Sequence, residues 1–228
     1  MMFRSPMIVF ALMAAFSCSA ASGQEGGQAK ITKLKIDLPV SERAWGNPVA
    51  AVYTHGWWFK GSEIGNPDAI RPRVIVALWA DGHIVWSEDS IEGGPPYQEA
   101  TVELASVEEL LKDLEGRGVF ADPGPKRYFP PDSHWTAIVV LHDSKCLNMQ
   151  SWHEGLERRT GRVVTDRGSS PLDGRSREEV LATASEEYQN FRRIWSDVKE
   201  AMLELIPKEG GEPSDVSFTL ERVSVEQP

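Results

Sequence analysis

The stretch Val74-Ile75-Val76-Ala77-Leu78-Trp79-Ala80, Asp81-Gly82, His83-Ile84-Val85-Trp86-Ser87 decides the fold. Asp-Gly between two runs rich in β-branched and aromatic residues is the chemistry of a two-residue hairpin turn, because both central residues must adopt positive φ. With Ala80 opposite His83, Trp79 faces Ile84 and Ala77 faces Trp86. That register puts both tryptophans on one face and Leu78 with Val85 on the other. Both faces are largely apolar, so the strands belong in the middle of a sheet, with one face under a helix and the other under loops or a second layer.

Upstream, Lys33, Lys35 and Asp37 alternate with Leu34, Ile36 and Leu38, the period of a half-buried strand ending at Pro39. A second extended run covers 49–59. Downstream, Ser106-Val107-Glu108-Glu109 reads as a capping box opening a helix, with Val107, Leu110, Leu111 and Leu114 on one face and Gly116 and Gly118 at its end. After the Pro-rich residues 123–131, a second hairpin pairs 135–141 with 146–152 around Asp143-Ser144. Its symmetrical register sets Trp135 opposite Trp152, makes Ile138, Val140, Leu147 and Met149 the core face, and puts Cys146 beside Leu141 and Val139. Apolar periodicity vanishes over 153–175, which reads as a long polar loop carrying Arg158, Arg159, Arg162, Arg167 and Arg175. Ser176-Arg177-Glu178-Glu179 repeats the capping box and opens one long helix, whose apolar residues run from Val180 through Tyr188, Phe191 and Trp195 to Leu205 before Pro207. An edge strand at 216–223 closes the domain. The hairpins exclude regular βαβ winding, so the expected fold is α+β: an antiparallel sheet of hairpins with a short helix and a long C-terminal helix packed on one face.

The compartment is read from the N-terminus. Arg4, an uncharged run over 7–16 and small residues over 17–22 follow the order of a secretory leader, here taken as residues 1–20. The apolar run is about half the roughly 20 residues a spanning helix needs. Two processing routes stay open: cleavage after the small residues around Ser19 and Ala20, or lipidation of Cys18, since Ala15-Phe16-Ser17-Cys18 resembles a lipobox. Residues 21–29 then form a flexible tether and 30–228 a single domain, a size that suits one core. Losing Arg4 shifts the net charge from −10 to about −11, which argues against nucleic acid as a partner. Beyond Cys18 only Cys146 remains, so an exported chain has no intrachain disulfide to draw on.

Residues 74–152 carry Asp81, Gly82, Ser106, Glu109, Phe120, Tyr128, Asp132 and Thr136 in order. In this the chain resembles a family of exported bacterial domains of unknown function, built from an Asp-Gly hairpin, a short helix and a second hairpin led by Tyr, Asp and Thr. The resemblance covers about a third of the chain and implies a fold; it brings no activity with it.

Specific catalytic spacing is lacking. His55, His83, His134, His142 and His153 are scattered and none has metal-ligand spacing, so no metal or other cofactor is expected. Asp132-Ser133-His134 holds the residue types of a hydrolytic triad, but adjacency is not a triad. Cys146 lies in an apolar strand, where a buried small hydrophobe is expected. The chain has eight tryptophans, of which Trp79, Trp86 and Trp195 read as core. Trp57, Trp58, Trp135 and Trp152, with His153 beside them, could offer flat stacking surfaces to sugar rings or apolar groups. Arg158, Arg159 and Arg162 are the candidates for anion contact. The expectation is an exported, non-enzymatic binding module of the periplasm, envelope or exterior, with a glycan or envelope protein as partner. The alternative is a hydrolase of an envelope or extracellular polymer working through Asp132, His134 or His153.

Overall fold

Alternating charged and apolar residues make β1 (Thr32–Ser41) a strand with one buried face, and the β-branched runs that follow make β2 (Ala50–His55), β3 (Arg73–Leu78), β4 (His83–Ser87) and β5 (Tyr97–Thr101). Then come α1 (Leu104–Gly116), β6 (Lys126–Tyr128), β7 (Trp135–His142), β8 (Lys145–Ser151), α2 (His153–Thr160), β9 (Val163–Thr165), β10 (Gly168–Ser170), α3 (Arg177–Leu181), α4 (Glu186–Glu204), β11 (Glu212–Ser214) and β12 (Phe218–Gln227). The computed structural model describes residues 32–43, 45–55, 71–121, 126–128 and 134–227. The leader expected at 1–20 with its Cys18, the tether at 21–29, and Trp57, Trp58 and Asp132 lie outside the described residues.

Eight strands form one sheet in the order β11-β5-β4-β3-β2-β7-β8-β6, antiparallel except for short β6, which runs parallel to β8. One face is covered by helices: Val107, Leu110, Leu111 and Leu114 of α1 and Tyr188, Phe191, Trp195, Val198 and Met202 of α4 pack on Val76, Leu78, Ile84, Ile138, Val140, Leu147 and Met149. Fully burying each such side chain contributes about 1.5–3 kcal/mol relative to leaving it exposed. The other face lies under a ribbon of β1 and β12, whose Ile36, Leu38 and Phe218 meet Ala51, Tyr53, Ala77, Trp79, Val85, Ala137 and Val139. The fold is thus the expected α+β, with the C-terminal strand paired to β1 in a separate ribbon instead of lying at the edge of the main sheet.

The first hairpin departs from its expected register. Leu78 pairs with Ile84 and Val76 with Trp86, and Trp79 donates its amide to His83 O at 2.9 Å, so three residues, not two, make the connection. Gly82 (φ +86) closes it in the left-handed region, and a Cβ there would stand 2.4 Å from Val102 O. Val102 donates back to Gly82 O at 2.8 Å, so the turn is clamped by the chain entering α1. A one-residue shift moves side chains to the opposite face. Trp86 accordingly joins the helix-covered core while Trp79 packs under the ribbon. The second hairpin keeps the expected register, with Val140 opposite Leu147 and Leu141 opposite Cys146.

Helix starts show what a capping motif needs. Ser106 does not cap α1; the helix begins at Leu104 with Glu103 at the N-cap and no side-chain bond, because the clamp at Val102 delivers the chain into its first turn early. Ser176 does cap α3, its Oγ accepting from Glu179 N at 3.1 Å while Glu179 accepts from Ser176 N at 2.6 Å. The expected long helix is two. It breaks at 182–184, and Ser185 caps α4 by accepting from Tyr188 N at 3.2 Å. Gln189 Nε2 then donates to Ala184 O at 2.9 Å, which satisfies a carbonyl the break frees.

The polar loop expected over 153–175 is also corrected: it contains α2 and the β9–β10 hairpin. Glu157 organises it from a site 5% exposed. Its carboxylate takes Arg192 in a fork (2.9 and 3.2 Å), the amide of Val164 at 2.7 Å and a guanidinium nitrogen of Arg177. One carboxylate thereby ties α2, β9, α3 and α4 together.

Candidate functional site

The two tryptophans expected opposite each other in the second hairpin border one cleft at an end of the main sheet. There β2 ends at His55, opposite Trp135 at the start of β7, and β8 ends at Ser151, next to Trp152 at the N-cap of α2. Trp135 is half-buried, set edge-on to Tyr53 (6.0 Å between centroids) and 5.1 Å from the His55 ring. Tyr53 is held in turn by donating to Asp37 O at 2.8 Å.

Residues 88–96 fold back to form the facing wall. Thr54 Oγ1 donates to Glu92 O at 2.7 Å, Arg73 donates to Gly93 O through Nε (3.0 Å) and Nη2 (2.6 Å), and Gly94 N donates to Val74 O at 2.9 Å. Gly93 has φ +67 and a Cβ there would stand 2.6 Å from Arg73 O, so only glycine allows this approach. Asp89 Oδ1 accepts from the amides of Ile91 (3.0 Å) and Glu92 (2.9 Å), which fixes the tip. Ile91 projects there, 45% exposed.

Between the walls lies a narrow cleft with an interior of about 30 Å³, bordered by Ile91, Glu92, His134, Trp135, Trp152 and Glu154. Such a volume admits a water or the tip of one group; a larger ligand must lie across the mouth. Its carboxylates are engaged. Glu92 pairs with Arg158, while Glu154 accepts from Trp195 Nε1 at 3.0 Å and from Lys199 Nζ at 2.8 Å. The site is therefore an apolar, charge-balanced platform.

His153 does not reach it. The ring is 2% exposed and packs 4.9 Å from Trp195 beneath α4. Burial first, and then Arg192, Arg177 and Lys199, hold its pKa well below the ordinary value. Nδ1 lies 2.7 Å from Ser151 Oγ, a spacing that suggests a nucleophile and its base. Burial argues otherwise: Ser151 Oγ is held between His153 Nδ1 and Tyr128 O (3.2 Å), and the His153 ring is closed off from any substrate. Ser151 is also 1% exposed. This is a structural contact.

The other candidates fall as follows. His134 borders the cleft. Cys146 is buried and desolvation pushes its thiol up to about 12, which leaves little thiolate at neutral pH. Among the described residues no three His, Cys, Asp or Glu side chains come together as metal ligands. Arg158 is drawn to Glu92; Arg159 stands exposed at the end of α2 with Nε donating to Gly155 O at 3.1 Å; Arg162 braces the β9–β10 hairpin through Ser169 O at 2.6 Å. The three guanidinium groups thus have different partners within the chain. Sequence reasoning missed Ile91, Glu92 and Thr54 altogether; the only local signal for that wall was Gly93-Gly94-Pro95-Pro96, a turn composition between two strands. No family model matches this chain, and neither a curated protein nor a solved structure matches it.

Proposed function

We propose that the protein is an exported, non-enzymatic module that binds a glycan or an envelope protein across the Trp135–Trp152 end of the sheet. The observation that carries this reading is two half-buried indoles from adjacent strand ends beside the exposed Ile91, around a cleft too small to engulf a ligand. Aromatic platforms of this kind stack on sugar rings or apolar side chains and add about 0.5–1.5 kcal/mol per well-placed pair. The hydrolase reading draws nothing from His153, which is 2% exposed and turns its Nδ1 to the equally buried Ser151. Export rests on the order of Arg4, the apolar run and the small residues, and extends the likeness of residues 74–152 to exported bacterial domains.

The test is tryptophan fluorescence with iodide quenching, alone and with polysaccharides, peptidoglycan fragments and envelope extracts. Wild type is expected to lose quenching on ligand addition, and Trp135→Ala to weaken binding about tenfold, or roughly 1.4 kcal/mol. Wild-type affinity in both Trp135→Ala and Trp152→Ala would remove the site from consideration. Export is checked separately by the mass of the secreted chain, and labelled fatty acid on Cys18 decides between the two processing routes.

A further inference from the structure

The chain has a net charge of −10, yet one groove has the opposite lining. Between α3 and α4 lies an open groove of about 420 Å³, a size suited to a small ligand. Its α4 wall is Gln189, Arg192, Arg193 and Ser196, which recur at i, i+3, i+4 and i+7 and so form a single stripe. Arg177 and Glu178 of α3 stand opposite. Neighbouring helices ordinarily press apolar stripes together. Here the apolar stripe of α4 is spent on the sheet, through Tyr188, Phe191, Trp195 and Val198, and the stripe toward α3 is polar.

Of the four charged residues that line the groove, three are arginines and one is Glu178. Arg177 and Arg192 both pair with Glu157, so two guanidinium groups share one carboxylate. Arg192 is held at the floor, its side chain 11% exposed, while Arg177 is 46% exposed and engages one of its three nitrogens. Arg193, 50% exposed, donates to Asp197 at 2.8 Å and Asn190 at 2.9 Å, which sets its guanidinium in place and leaves N–H groups over. The geometry points to an oxyanion site in this groove, in which Arg177 and Arg193 grip a carboxylate or phosphate at the mouth and Arg192 supplies fixed positive charge beneath it. The site is distinct from the aromatic cleft and does not depend on it.

Calorimetric titration of the full chain at low ionic strength with inorganic phosphate and, separately, with citrate distinguishes the two oxyanion sources. One-to-one binding of at least one probe is expected, weakened by added salt. Arg193→Gln is expected to weaken it about tenfold, as for loss of a charge-assisted pair, and to leave the circular dichroism unchanged because its partners are at the surface. Glu178→Gln is expected to tighten binding by removing a like charge from the rim. Absence of saturable binding by both probes overturns the proposal, as does binding that Arg193→Gln leaves intact. Arg177→Gln is a second test, read only if the variant keeps its Glu157-dependent fold.

Discussion

The helix-covered face of the main sheet and the segment 153–184 are ordered by different forces. On the sheet, Leu114, Ile138, Val140 and Phe191 are all but fully buried, and desolvation of apolar surface keeps α1 and α4 in place. In 153–184 few large apolar residues are buried, and the order of α2, β9 and α3 depends on Glu157 reaching Arg192, Arg177 and the Val164 amide. The first kind of order is spread over many side chains, so it tolerates the loss of any one. The second is concentrated, because a buried charge deprived of its partner carries the whole cost of its desolvation.

That contrast is broken or sharpened most strongly by Glu157→Ala set beside Leu114→Ala. Removing Glu157 leaves Arg192 buried without its counter-charge and is expected to cost about 3–5 kcal/mol, with protease nicking concentrated in 153–184. Leu114→Ala, at 0% exposure, is expected to cost about 2–5 kcal/mol through its cavity, with the loss shared over the whole fold. Urea denaturation gives both totals and limited proteolysis locates them; a Glu157→Ala cost near 1 kcal/mol would mean that packing alone orders the segment.

A second, smaller effect concerns pH. The folded chain holds His153 neutral, with a pKa well below 6.5, so below that value the unfolded chain takes up a proton that the folded site refuses. The His153 contribution is therefore expected to lower stability as pH falls below about 6.5, by about 1.4 kcal/mol per unit, until the folded pKa is reached. The difference between wild type and His153→Asn across pH 7.5 to 5.5, an interval of about two units, isolates it from the titrating carboxylates; parallel curves would show that the ring is accessible to protons.

The smallest expected effects separate the two serines that looked alike. Ser176→Ala removes a formed capping box and is expected to cost about 1 kcal/mol. Ser106→Ala, inside the first turn of α1 with no capping bond, is expected to stay within about 0.5 kcal/mol. Equal thermal shifts in the two would mean that Ser106 does more than its geometry allows.

Much of the sheet was legible because its signals are local and periodic. Alternation in 33–38, the apolar runs around Asp81-Gly82 and the register of Ile138 and Val140 against Leu147 and Met149 all follow from neighbours within a few residues. The break before α4 was legible in principle, since Ser185-Glu186-Glu187 has the composition of a helix start, but the unbroken apolar spacing masked it. Of the candidate site, Trp135 and Trp152 were legible from hairpin symmetry. Ile91 and Glu92 were not, because the backbone bonds that hold their wall come from Thr54, Arg73 and Val74.

The sequence by itself determined the α+β class, the hairpins, the helix-forming stripes and the acidic balance, because hydrophobic period and turn chemistry act over short distances. The tertiary structure alone decided that Trp79 and Trp86 lie on opposite faces, that β12 seeks β1, and that an arginine-rich stretch folds around Glu157. Each of these turns on a contact between residues far apart in the chain: Gly82 against Val102, Ser41 beside Phe218, Glu157 with Arg192. Pairing energies of that kind are set by burial and geometry, which no local pattern of residues encodes.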